Sequence, residues 1–493
     1  MRSRVVLLAI ATAVSLAACG STVSPEARRA AQSGSEGLGG TEAAVGDAAG
    51  DAATGTDLTG AAGRAASGGT SAGGTARAQA TIPGSVGGGS AVKGPIEIGI
   101  VRTGVSNAAA FGASVGNTIT EASINDAIVA AMNEQGGLAG RRIVPVYDDT
   151  DTASSSWDAD FEAACAKFTQ DHKVVAVLGY VFDHVDAFEG CLAKRGIPHL
   201  STTFNVPDTE VLNQYPTLFA LATPRIERRS IAKIDGALAT GVITKASKLG
   251  IVIDGCPGTK RAWNNKTKPY MESKGLTVVS TFEVGCARGS GDVGAEAGRA
   301  GNLVLQFRTA GVDTVAVMSV SESGPILILA NAAEPQGWRP KYVVSSLASG
   351  SILAGQIPNE QAANVHGYGW LPVMDVPPDR WPAVPPAGQR CLKLAASKGL
   401  KLTAPADFAF ALNICEALFV YEAALKATGG RTDGAAITAA VEALGANHPG
   451  AMTLDGRLTF GRDRHDAPSS ARYFAWDRGC TCFTYRPHTF TIN

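Results

Sequence analysis

The sequence predicts an α/β protein of two lobes, each a mainly parallel sheet flanked by helices, with a ligand cleft between the lobes. Two observations carry this reading. From Pro95 onward, short apolar runs of strand character alternate with stretches of helical periodicity, the pattern of βαβ units and parallel sheets. After Pro224 the alternation restarts at similar length. Ligands of open α/β sheets sit beyond the carboxyl ends of the strands, so two such sheets in one chain leave a cleft.

The elements follow in order. IEIGIV (96–101) is a short buried-type strand, and a helix is expected over 115–134, closed by Gln135-Gly136-Gly137. RRIVPVYDD (141–149) is a strand, 157–170 a helix, VVAVLG (174–179) a strand, 186–195 a helix and IPHLST (197–202) a strand. In the second series a helix over 228–239 precedes LGIVID (249–254). A helix over 263–274 leads to LTVVSTFEV (276–284), and one over 296–310 leads to DTVAVMS (313–319). A helix over 325–334 then leads to KYVVSS (341–346). The tail returns to helices over 407–430 and 433–444 and ends in two short strands, GRLTFGRD and SARYFAWD.

Ahead of this body lie two segments of other character. Arg2 and Arg4 precede an apolar run over 5–16 that is too short to span a bilayer permanently and reads as a signal-peptide core. Leu16-Ala17-Ala18-Cys19 resembles the bacterial lipobox, which makes residues 1–18 a lipoprotein signal peptide and Cys19 the lipidation site. The stretch 19–94 is mostly Gly, Ala, Ser and Thr with scattered charges, and it lacks Trp, Phe and Tyr. Such a segment buries too little apolar surface to offset its ordering entropy, and reads as a disordered tether spanning about 50 Å. No further apolar stretch is expected to cross a membrane.

Composition narrows the function. The 493 residues are 45% hydrophobic and 6% aromatic, with 43 basic against 44 acidic side chains and a formal net charge of −1. That balance offers no electrostatic footprint for nucleic acid. Apart from Cys19 there are eight cysteines, Cys165, Cys191, Cys256, Cys286, Cys391, Cys415, Cys480 and Cys482. An even set outside the cytoplasm suggests disulfides; sequence leaves 105 pairings open, with sequential pairing the economical choice. Zinc would need cysteine or histidine spacings that only Cys480-x-Cys482 approaches, so no metal and no cofactor is expected. Gly289-x-Gly291-x-x-Gly294 matches a dinucleotide fingerprint, but three residues separate it from the preceding strand. Gly112-x-Ser114-x-Gly116 matches a nucleophile elbow with no strand running into it.

The order of motifs is that of a known family. IEIGIVRTG, NEQGGLAGRRIVPVYDDTD, VVAVLGYVFDHVDAF, GIPHLSTTFNVPD and YPTLFALATP, in sequence, resemble the segments of the leucine/isoleucine/valine-binding protein family across nearly all of 95–493. These are the extracytoplasmic type I solute-binding lipoproteins of ABC transporters. The resemblance implies the type I periplasmic-binding-protein fold with three crossovers. Lobe 1 would comprise 95–222 and 368–452, and lobe 2 would comprise 223–367 and 453–493. It implies no enzyme activity and no catalytic residue. The expected role is capture of a small polar solute, an amino acid or related amide or amine, by hinge closure. Its partners would be that solute, an ABC permease, and the outer face of the cell membrane through the lipid anchor alone, with the protein a monomer. The alternatives are a receptor or scaffold lipoprotein of the same fold and, further off, an exported hydrolase.

The resemblance also points to ligand-facing residues. In lobe 1 these are Asn107 and Phe111, then Tyr180, Asp183 and His184, then Thr203, Phe204 and Asn205. Asp183 and His184 stand where the family commonly has a small hydroxyl residue, and Asn205 likewise. An aspartate there would repel a carboxylate, which points to a solute without one, a cation or a polyol, or it would cap the helix that follows. Arg225, near the first crossover, either meets an anion or pairs with an acidic side chain. In lobe 2, Asp254 faces the cleft or stabilises its own loop as an Asx turn. Ser319 and Glu322 follow a strand; Glu322 either meets an ammonium or starts a helix. Trp263 either stacks on a ligand or fills the helix's buried side.

Overall fold

The computed structural model describes residues 94–103, 118–151, 154–179, 186–202 and 206–493. All belong to one compact unit, Ser85–Asn493. The expected signal peptide, Cys19 and nearly all of the expected tether lie outside the described residues.

The first sheet contains β1 (Ile96–Thr103), β2 (Ile143–Thr150), β3 (Val177–Gly179), β4 (His199–Ser201) and β5 (Leu218–Ala220). All are parallel, in the order β2-β1-β3-β4-β5. The alternation of β1 explains its two faces. Ile96, Ile98 and Ile100 are buried with Ile124, Ile128 and Met132 of the helix Glu121–Glu134. Val101 turns to the other face with Phe161 and Phe168. That helix starts at Glu121 because the Thr120 hydroxyl accepts from the Ser123 N–H, so residues 118–120 lie outside it.

The second sheet begins with β6 (Lys248–Asp254), β7 (Thr277–Val284), β8 (Thr314–Met318), β9 (Lys341–Ser345) and β10 (Val365–Gly369), again parallel. The chain then returns to the first lobe with helices Pro386–Ser397, Pro405–Ala427 and Gly434–Glu442. A short ladder follows, of β11 (His448–Pro449) and β12 (Arg457–Leu458). Finally β13 (Ser470–Asp477) and β14 (Cys482–Thr491) add to the second sheet antiparallel, giving the order β14-β13-β10-β9-β8-β6-β7. Gly367 of β10 is required there, since a Cβ would lie 1.9 Å from the buried Phe474 ring.

Two crossings fall later than the sequence suggests. Tyr368 and Gly369 still belong to β10, where Tyr368 stacks on Tyr473 and bonds Thr240 at 2.6 Å. Trp370 enters the first core, its indole donating to the Ala222 carbonyl at 2.7 Å. Residues 453–467 stay with the first lobe: Leu458, Phe460 and Ala467 pack in its core, and Asp466 bridges beside Ala220 of β5.

The helix Pro405–Ala427 corrects another expectation. Its 23 residues are long and apolar enough to cross a membrane, yet most of them are buried in the first core. A helix apolar on every side is what a fully surrounded position requires.

Among the described residues, four disulfides join the cysteines in sequence: Cys165–Cys191, Cys256–Cys286, Cys391–Cys415 and Cys480–Cys482. The first pins two helices of one lobe, and the third pins Pro386–Ser397 to Pro405–Ala427.

Candidate functional site

The carboxyl ends of the two sheets face each other, and side chains and backbone meet across the gap. Beyond β6, Arg261 grips the Asp208 carboxylate with two bonds of 2.7 and 3.1 Å and lies 3.3 Å from Glu210. Asp208 is buried and also caps the helix Thr209–Gln214 through the Val211 N–H. Beyond β7, the Arg288 carbonyl accepts from the Trp157 N–H at 2.9 Å. The Ser290 N–H donates to the Ser154 carbonyl at 3.0 Å. Gly289 permits this approach, for a Cβ would sit 2.3 Å from the Ser155 oxygen. The glycine motif at 289–294 thus serves backbone contact and the start of the helix Ser290–Gly298.

A pocket of about 350 Å³, counted to its open mouth, lies beside these contacts. Val206, Asp208, Ile226, Thr259, Arg261 and Val320 are among its walls. The Cys256–Cys286 bridge, with Cα atoms 4.7 Å apart, ties the loop after β6 to the loop after β7.

Replacing Arg261 with alanine leaves Asp208 buried without its counter-charge unless the lobes part and water reaches it. For a partly exposed pair worth about 1 kcal/mol, the open population should rise roughly fivefold. Small-angle scattering should then show a larger radius of gyration, and an unchanged radius would deny the pair this role.

The site residues expected from the sequence separate into three groups. Asn107, Phe111, Tyr180, Asp183, His184, Thr203, Phe204 and Asn205 all lie outside the described residues. Asp254, Ser319 and Glu322 do sit at strand ends of the second sheet, but their polar atoms are engaged inside the protein. Asp254 is 3% exposed and accepts from the Cys256 N–H at 3.1 Å, the Ser319 hydroxyl at 2.8 Å and the Val320 N–H at 2.7 Å. It ties two loops together, and burial pushes its pKa up against those bonds. Glu322 is fully buried, 2.7 Å from the Lys233 ammonium, and accepts from the Ser345 N–H. Burial pulls Lys233 down to about 8, with Glu322 acting to raise it. Glu322 is therefore a strut of lobe 2, with its ammonium partner supplied by the protein itself.

The third group has left the cleft. Trp263 is 5% exposed in the second core with Ile234 and Ile253. Arg225 pairs with the buried Asp466 at 2.9 Å and donates to the Asp463 carbonyl at 2.7 Å. Arg228 joins it on Asp466. Three residues apart in sequence, these arginines lock the first crossing to the third.

Five groups that shape this region escape a reading of the sequence: Asp208, Arg261, Arg288, Asp466 and Arg229. One signal points to the last. Arg229 and Lys233 are four residues apart on the helix Ile226–Ala239, on the same side as Ile226, so two cations share a face with core residues. Cations in the first turns of a helix run against its dipole and call for a tertiary reason.

Comparisons with known proteins agree with this geometry. A search of curated protein sequences finds no match. Solved structures do match. A solute-binding protein of an ABC transporter from Rhodopseudomonas palustris HaA2, in complex with p-hydroxybenzoic acid, aligns with a TM-score of 0.60 at 16% identity, covering 81% of this chain and 98% of that one. A substrate-binding protein from Aeropyrum pernix gives 0.61 at 16%, covering 81% and 96%. A leucine-binding protein from Thermotoga maritima gives 0.56 at 14%, covering 80% and 98%. At such identities these likenesses establish the fold alone. The model of the periplasmic binding protein family matches residues 95–481, most of the chain, and the chain belongs to that family.

Proposed function

We propose that the protein captures a small polar solute between its lobes and presents the closed form to an ABC permease. The observation that carries this reading is the cleft itself: two α/β lobes joined by three crossings, whose carboxyl ends already meet through Arg261–Asp208 and the 288–290 segment. Closure is then a hinge motion, and a solute shifts it only by its differential affinity for the closed state. The lipid on Cys19 and the tether over 19–94 would hold the body at the outer face of the membrane, free to reach a permease. Amino acids and related amides or amines are the first solutes to test, with aromatic acids beside them because the Rhodopseudomonas structure contains one.

The test is thermal unfolding of the full chain in mild detergent against amino acids, amides, polyamines, sugars and aromatic acids. A solute at a hundred times its Kd should add about 2.7 kcal/mol of stability. Absence of any shift would favour the second reading, a receptor or scaffold lipoprotein. That reading draws on the side chains that already bridge the cleft.

A further inference from the structure

Resting on solute capture, we infer that Arg229 is a specificity-determining residue that holds an anionic group of the solute, a carboxylate, from the floor of the second lobe. Arg229 is 1% exposed, and the only hydrogen bond of its guanidinium among the described residues runs from Nη2 to the Ser319 carbonyl at 2.8 Å. Its Nε and Nη1 are buried with no partner among the described residues. A guanidinium does not shed its charge, and burying a charge without hydrogen-bonded compensation is costly.

The register of helix against strand places this group at the cleft. One helical turn later, Lys233 donates to the Val317 carbonyl of β8. Moving back four residues along the helix moves two residues forward along the strand. The helix Ile226–Ala239 therefore runs antiparallel to β8, and Arg229 lies where β8 has ended, at its carboxyl end.

Of the nearby carboxylates, Glu322 and Asp254 are committed elsewhere, while one oxygen of Glu227 is buried without a hydrogen-bond partner among the described residues. Glu322 serves Lys233 and the Ser345 N–H, and Asp254 accepts three bonds from loop groups. One oxygen of Glu227 accepts from the Thr209 N–H. These acids lend Arg229 their fields without filling its donors. On the first sheet, the hydroxyls of Thr202 and Thr223, just past β4 and β5, are also buried without a partner among the described residues. Nε and Nη1 lie on different edges of the guanidinium, so a carboxylate meets one free donor through one oxygen and can accept from hydroxyls through the other.

The experiment compares 4-hydroxybenzoate and leucine with their neutral amides, 4-hydroxybenzamide and leucinamide, by thermal unfolding and calorimetric titration of the full chain. The expected result is binding of an acid and not of its amide. Arg229→Gln should weaken that acid about a hundredfold, and Arg229→Lys, which keeps the charge but has fewer and differently directed donors, should weaken it less. An acid bound equally by wild type and Arg229→Gln overturns the inference. So does an amide bound as tightly as its acid, a comparison made on wild type that stands even if the variants fail to fold. Binding of polyamines or sugars with none of the acids overturns it while leaving solute capture intact. Binding of no solute in the wider panel removes solute capture, and this inference with it.

Discussion

Asp466→Asn should destabilise the protein by about 3–5 kcal/mol, the largest single-residue effect expected outside the hydrophobic cores. Asp466 is fully buried and accepts from the Arg225 backbone at 3.0 Å, the Arg225 guanidinium at 2.9 Å and Arg228. Both arginines are largely buried, at 15% and 11% exposure, so neither regains full hydration when the charge is lost. Asparagine keeps the shape but turns a donor group toward a cation. Urea unfolding of the full chain measures the effect, with the exposed Asp463→Asn as a control expected within about 0.5 kcal/mol of wild type. A small loss at Asp466 would mean that the hinge does not depend on this charge.

Two buried acids should lower stability as pH rises from about 5 to about 8, against an opposite and smaller contribution from His366, which burial pulls down to about 4. Burial pushes Asp375 up to about 7, against a hydrogen bond from Tyr485 at 2.6 Å. It pushes Glu416 up to about 7 as well, against the N–H groups of Ala451 and Met452, each at 2.8 Å. Both pKa values lie above those of the unfolded chain, so the native state binds more protons across this range. Their contribution is complete below the unfolded values and is lost as pH passes through about 7. Each group should cost about 2 kcal/mol across that range. The variant carrying Asp375→Asn and Glu416→Gln should lose this part of the slope. An identical pH profile in that variant and wild type would show that neither group titrates in this range.

The parallel strands are legible in the sequence because each is a short apolar run between helical stretches. The elements that escape have sequences shaped by tertiary demands. β10 reads VHGYG, a poor strand on composition, because Gly367 makes room for Phe474 and a Cβ at Gly369 would lie 2.0 Å from Asp375. β14 contains Pro487, which weakens a strand reading but is tolerated at the sheet's edge. The candidate site is harder for a related reason. The pattern of apolar runs puts Asp254 and Glu322 just beyond strands, but a strand end does not reveal which way a carboxylate turns. For Glu322 that direction is set by Lys233, 89 residues away.

The threefold crossing of the chain has a consequence for how the molecule is made. The first five strands are complete by Ala220, yet the helix Pro405–Ala427 that covers them comes far later in the chain. Asp466, which fastens the first crossing, lies 241 residues beyond Arg225. Contacts of such sequence separation form slowly, because loop-closure entropy is spent before they are gained. The amino-terminal lobe therefore cannot mature while the remainder is still being synthesised. A nascent chain held open in this way keeps its first sheet uncovered until Pro405–Ala427 has been made.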